Sequence, residues 1–118
     1  VVPSHPDLPT SPLGYSIWAD GLGMVLRRLH EEVPGTPILV AEYGIGTDDD
    51  QQRAAYLRDG LRNVRDALAD GVDVRGFLHW TAVDNYEWLH GYDVKFGLID
   101  ADRTVRASAQ VLSAEALR

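Results

Sequence analysis

Residues 37 to 80 read PILVAEYGIGTDDDQQRAAYLRDGLRNVRDALADGVDVRGFLHW, and the pattern in this stretch decides the fold. Pro37 opens a continuous apolar run, Ile38 to Ala41, which suits a strand buried on both faces, as in a parallel sheet covered by helices. A polar turn, GIGTDDD, follows. Asp48 to Asp50 read as a helix cap and solvated turn, meeting the positive end of the next helix, rather than as a cation site. In that helix Leu57, Leu61, Val64 and Leu68 fall on a single apolar stripe, and Gly71 stands where a C-cap belongs. Val72 to Trp80 mixes β-branched and aromatic residues as a second strand does.

The flanking segments extend the alternation. From Tyr15 to about Val33 the apolar positions Ile17, Leu22, Val25, Leu26 and Leu29 recur at helical spacing, and Pro34-Gly35 breaks the helix. Residues 1 to 14 hold four of the six prolines and read as an extended loop. Beyond the second strand, TAVDNYEWLHGYDVKFG is too polar and aromatic to be mere connection, and long loops of this kind tend to be functional. A short extended piece, FGLID, and a turn at Ala101 to Arg103 lead to a final helix over roughly Ala107 to Leu117, burying Val111, Leu112 and Leu117. Helix, strand, helix, strand, long loop, helix places the chain in the α/β class. Its sheet is parallel, either doubly wound or a barrel.

Composition narrows the function. A 45% hydrophobic and 25% charged chain of 118 residues has enough apolar side chains for one modest core. The formal charge of −7, with eleven scattered basic residues, argues against nucleic acid, since phosphate binding needs clustered cations. No apolar run reaches the roughly 20 residues that span a bilayer, and VVPSHPDLPTSP lacks the features of a signal peptide, so no membrane partner and a cytoplasmic location are expected. With no cysteine there is neither a disulfide nor a thiolate metal site.

In a parallel α/β fold chemistry sits at the C-terminal ends of the strands. Glu42 lies at such an end, and on pattern alone it is equally well the first solvated residue after a strand. Trp80, Glu87 and Trp88 offer an apolar platform beside a carboxylate, the mixture that suits a sugar, although on pattern alone both tryptophans read more readily as core. His79, Asp84, Glu87 and His90 also cluster, but a metal set would need a matching second motif, so no metal is expected. His5 and His30 read as solvated, and His79 as facing either the interior or the helical layer.

The segment WTAVDNYEWLHGYDVKFGLID resembles the glycoside hydrolase family 1 pattern W-S-L-x-D-N-[FY]-E-W-x-x-G-Y-x-x-R-F-G. Trp80, Asp84, Asn85, Glu87, Trp88, Gly91, Tyr92, Phe96 and Gly97 stand in register without a gap. VAEYG is similar to the strand with T-E-N-G, GYSIWADGL to the helix approach G-W-E-I-Y-P-x-G-L, and DDDQQRAAYL to the segment after the nucleophile. The likeness covers about residues 11 to 105. A different (β/α)₈ glycosidase fits the loop less well.

The resemblance implies the C-terminal part of a single (β/α)₈ TIM barrel, incomplete as given, whose last two strands are the ones read here. It implies a retaining β-glycosidase acting on β-linked glucosides or galactosides, as small molecules or oligosaccharides, without metal or organic cofactor. Glu42 would be the nucleophile, Trp80 the platform under the sugar and Glu87 the acceptor for the C4 and C6 hydroxyls. Trp88 would donate its indole N–H nearby and Phe96 would border the pocket, while Asp84 and Asn85 would shape the loop. Ala41 and Tyr43 depart from the usual Thr and Asn around the nucleophile. The Asn-Glu-Pro motif that carries the family's acid/base glutamate is absent, and Glu31 and Glu32 close a helix beside Pro34. The chain is therefore expected to need the N-terminal remainder of the barrel as partner and to be inactive alone. The alternative is a non-catalytic carbohydrate-binding or interaction module of the same fold.

Overall fold

The computed structural model describes residues 6–116, so His5, the start of the leading loop and Leu117 lie outside the described residues. Five elements follow one another: α1 (Asp20–Glu32), β1 (Ile38–Tyr43), α2 (Asp50–Ala69), β2 (Val74–His79) and α3 (Ala109–Ala116). This is the expected order, and β1 and β2 pair in parallel as a two-stranded sheet. The radius of gyration is 14.9 Å, against roughly 13.5 Å for a compact domain of this length. The excess reflects a slab covered on one side. Among the described residues no helix is long and apolar enough to cross a membrane.

Helix α2 is the hub. Asp49 caps it in an extended conformation, its carboxylate accepting from the backbone N–H groups of Gln51 and Gln52 and so satisfying two of the donors that a helix start leaves open. At the other end the Gly71 N–H reaches the Leu68 carbonyl at 3.0 Å with φ of +90°. Leu57, Leu61 and Val64 are buried as the stripe requires, but Leu68 is half exposed. The buried arc swings instead through Gly60, Asn63 and Ala67 toward α1. There Asn63 donates to the Asp20 carboxylate, and Gly23 leaves room for its amide. Val111 and Leu112 of α3 pack at the edge of this core, partly buried.

Helix α1 begins at Asp20 rather than Tyr15. Residues 9 to 17 form a small hairpin: Thr10 bridges Ser16, the Ile17 N–H donates to Pro9 O at 2.7 Å, and the Tyr15 N–H donates to Ser11 Oγ. Ile17 matches helical spacing, but prolines at 9 and 12 and a positive φ at Gly14 favour the turn.

The strands are not buried on both faces, as Ile38 to Ala41 had implied. Val40, Tyr43 and Phe77 face α1 and α2, whereas Leu39 and Leu78 are each more than half exposed, because no described element covers their side. The pairing is irregular. Val40 to Tyr43 on β1 is matched by Phe77 to His79 on β2, so β1 carries one extra residue there. Strict alternation would put Glu42 on the same side as Val40. The bulge lets Val40 and Tyr43 both be buried while Ala41 and Glu42 are exposed.

Tyr43 fits because α2 has a gap at Gly60, where a Cβ would overlap the tyrosine ring. In an open helix Gly→Ala stabilises by about 1 kcal/mol. Here Gly60→Ala is expected to destabilise by about 1–3 kcal/mol in urea unfolding, through forced overpacking. A more stable variant would show that Tyr43 does not fill the gap.

Candidate active site

A cleft of about 450 Å³ opens at the C-terminal ends of the two strands. Glu42 and the Gly44–Gly46 segment come from the end of β1, Trp80 from the end of β2, and Glu87 and Phe96 from the loop beyond. The remaining wall is Tyr43, Tyr56 of α2 and the 9–17 hairpin, the last through Ser11, Leu13, Tyr15 and Ser16. Trp80 extends the strand pairing by one bond, its N–H donating to Tyr43 O at 3.1 Å, and the Trp80–Thr81 peptide bond is cis. Gly44 allows this approach, since any Cβ there would overlap the Trp80 carbonyl.

The loop that carries Glu87 and Phe96 is closed on itself. The Glu87 and Gly91 backbones exchange two hydrogen bonds of 2.8 and 2.7 Å, which makes a tight turn with its tip at Trp88 and Leu89. Asn85 Nδ2 donates to Glu87 Oε1 at 2.6 Å and fixes the carboxylate. Tyr86 and Tyr92 pack edge to face at 5.4 Å. Trp88, by contrast, is 90% exposed and is not among the residues lining the cleft. The structure does not bring its indole to the other four candidates, because the turn projects it away from the strand ends.

Two arginines brace this arrangement. Arg53 is almost wholly buried; it donates to the Thr47 carbonyl, to Lys95 O at 3.0 Å and to Asp50 Oδ1 at 2.6 Å. It thus joins the segment after Gly46 to the turn before Phe96. Burial pushes the Asp50 carboxyl up, but hydrogen bonds from the Ser108 hydroxyl and N–H and from Arg53 outweigh it and leave the group below the ordinary carboxylate value. Arg106 donates through Nη1 and Nη2 to the two carboxylate oxygens of Asp84, at 2.9 and 2.7 Å. The Arg106 hydrogen bonds hold the Asp84 carboxyl below its ordinary value against the effect of burial. His79 lies on the covered side with Phe77, its Nε2 3.2 Å from Phe96 O, and burial pushes its imidazole below the usual histidine value. His30 is half-buried near the end of α1.

The structure therefore unites Glu42, Trp80, Glu87 and Phe96. Among the described residues no three His, Asp or Glu side chains converge, so His79, Asp84, Glu87 and His90 do not form a common cluster. Sequence reasoning passed over the hairpin wall, Arg53 and Arg106. Arg53 pairs locally with Asp50, but its bond to Lys95 O and the Arg106 pairing with Asp84 span 42 and 22 residues and leave no local signature. Tyr15 lay within a recognised stretch and was assigned to a helix.

The protein-family model described as glycosyl hydrolase family 1 matches residues 2–115. A β-galactosidase of Sulfolobus acidocaldarius is 45% identical over 96 residues, covering 81% of this chain and 19% of that protein. A bifunctional β-D-glucosidase/β-D-fucosidase of Bifidobacterium breve is 38% identical over 107 residues, covering 80% of this chain and 23% of that protein. A solved β-glucosidase from Thermotoga maritima, in complex with galacto-hydroximolactam, superposes with a TM-score of 0.90 at 28% identity over 96% of this chain and 29% of that one. The chain thus spans between a fifth and a third of the length of these proteins.

A carboxyl whose folded pKa is depressed stabilises the fold above its unfolded pKa, and that stabilisation is lost as pH falls through the folded value. For Asp84 the contribution should be complete above about pH 5 and fade as pH drops below about 4. Asp84→Asn should cost about 1–3 kcal/mol at pH 7, through loss of a charged hydrogen-bond partner. Its urea midpoint should also fall less between pH 5 and pH 3 than that of the parent. Parallel pH profiles would contradict the Asp84–Arg106 assignment.

Proposed function

The chain belongs to glycosyl hydrolase family 1, and from that premise we propose that it forms the last two βα units of a (β/α)₈ barrel and supplies half of a retaining β-glycosidase site. One observation carries the reading: Glu42, Trp80, Glu87 and Phe96 line a single cleft at the C-terminal ends of parallel strands. Catalytic groups of such barrels gather there.

The chemistry follows from the parts. A pyranose lying on the Trp80 face presents its hydroxyls to the Glu87 carboxylate, which Asn85 holds in place. Glu42 attacks the anomeric carbon while the bond to the aglycone oxygen breaks, and a second carboxyl group about 5 Å away gives that oxygen a proton. The same group then takes a proton from water, which attacks the anomeric carbon and releases Glu42. The described part of the chain has no Asn-Glu-Pro motif to supply this partner, so the acid/base group comes from the rest of the polypeptide. The open side of the sheet, with Leu39 and Leu78 exposed, is where the remaining strands would close the barrel. β-Glucosides and β-galactosides differ only in the configuration of the C4 hydroxyl that Glu87 addresses, so the choice between them rests on that contact.

A 2-deoxy-2-fluoro glucoside slows both steps and lets the glycosyl-enzyme accumulate. Peptide mass spectrometry of the trapped full-length protein is expected to find the label on Glu42. The isolated 118-residue chain should stay unlabelled, because it lacks the rest of the barrel that would hold the sugar against Glu42. Label on another carboxylate would remove the nucleophile role, and label on the isolated chain would remove the need for a partner.

A further inference from the structure

We infer that Arg106 is a positioning residue for sugar binding: it closes the neck of the 84–97 loop and thereby fixes Glu87 and Phe96 against Trp80. The inference rests on the glycosidase reading above.

Arg106 is not among the residues that line the cleft, so any influence it has there passes through others. Its guanidinium grips both ends of the loop at once. At the first end it pairs with both Asp84 oxygens, and at the second its Nη1 donates to Gly97 O at 2.6 Å. The ends also meet directly, the Gly97 N–H donating to Asp84 Oδ1 at 2.9 Å. A Cβ at Gly97 would overlap the Asp84 backbone, so the neck is closed to contact. Glu87 and Phe96 lie just inside it, one near each end.

The energetics make Arg106 the keystone of this contact. The Asp84 side chain is only 3% exposed. Without a cation it would be a buried charge lacking its counter-ion, a state that costs far more than an exposed one. The cheapest relief is for Asp84 to swing into water. That breaks its bond to the Gly97 N–H and loosens the neck at Gly97, although the backbone bonds from the Asp84 N–H to Ile99 O and from the Ile99 N–H to Ala82 O still join its base. Helix α2 meets this region through Leu98 and through the Arg53 bond to Lys95 O, and neither contact uses the Arg106 guanidinium. A lysine could replace the charge but not the two-pronged grip, because an ammonium group lacks the planar fork.

Amide hydrogen exchange in the full-length protein without ligand tests the neck without reference to sugar. Arg106→Ala should speed exchange at Gly97 by at least about tenfold, the loss of one charge-assisted hydrogen bond, while Leu57 in α2 keeps its protection. In the full-length protein the same variant should weaken binding of glucoimidazole about tenfold and lower kcat/KM for an aryl β-glucoside in step. Arg106→Lys should fall between parent and alanine in both measurements. If Arg106→Ala also exposes Leu57, Arg106→Lys decides on the same readouts. Unchanged Gly97 exchange overturns the proposal, and so does faster exchange with unaltered glucoimidazole affinity. Should the parent full-length protein bind no glucoimidazole, the glycosidase reading fails instead, and a Gly97 amide still protected in Arg106→Ala overturns the neck by itself.

Discussion

The ring of Tyr43 lies stacked on Tyr56 at 4.6 Å, tilted against Phe77, with its hydroxyl donating to the Tyr56 carbonyl at 3.0 Å. Burial drives its phenol far above the ordinary tyrosine value, so it remains a neutral donor. Because Val40 is buried on the same side, β1 must take up one extra residue between them. That residue count turns Glu42 outward, next to Trp80. A carboxylate on the covered side would be unpaired among apolar groups and strongly disfavoured. The packing of one aromatic residue into α2 and the exposure of the neighbouring acid are two aspects of one constraint.

The second half of the cleft depends on charge rather than on apolar packing. Arg53 pairs with Asp50 and joins the Thr47 and Lys95 carbonyls, while Arg106 pairs with Asp84 and reaches the Gly97 carbonyl, so each ties together separate segments of the chain. Buried pairs of this kind add little net stability compared with apolar packing, but removing one partner is costly. They therefore specify the loop path more than they strengthen the fold. The turn that leads into α3 takes part through Ser108, whose hydroxyl and N–H both donate to Asp50.

Much of this was legible in the sequence. The two strands and α2 were readable because their signals are local: an apolar run, a 3.6-residue stripe and an Asp cap. The cleft residues Trp80, Glu87 and Phe96 were readable because the loop pattern survives without a gap, and Glu42 because it stands at the end of the apolar run of its strand. The start of α1 was not, since Ile17 fits a helical stripe while its backbone is committed to a hairpin. The facing of Glu42 was not either, because a bulge is a relation between two strands and leaves no mark in one of them. Trp88 was expected beside the sugar, but the Glu87–Gly91 turn carries its indole into solvent. Arg53 and Arg106 look like any surface arginine until the carbonyls they bind are brought to them by the fold.

The central claim is that the Glu42 carboxylate occupies one face of the anomeric carbon. Replacing it with alanine in the full-length protein vacates that face, and added azide can then attack from there. With an aryl β-glucoside activated enough to leave without full proton transfer, the account predicts restored turnover that yields the α-glucosyl azide. A β-glucosyl azide would assign Glu42 to the opposite face as the acid/base group, and turnover in the variant without azide would contradict its role as nucleophile.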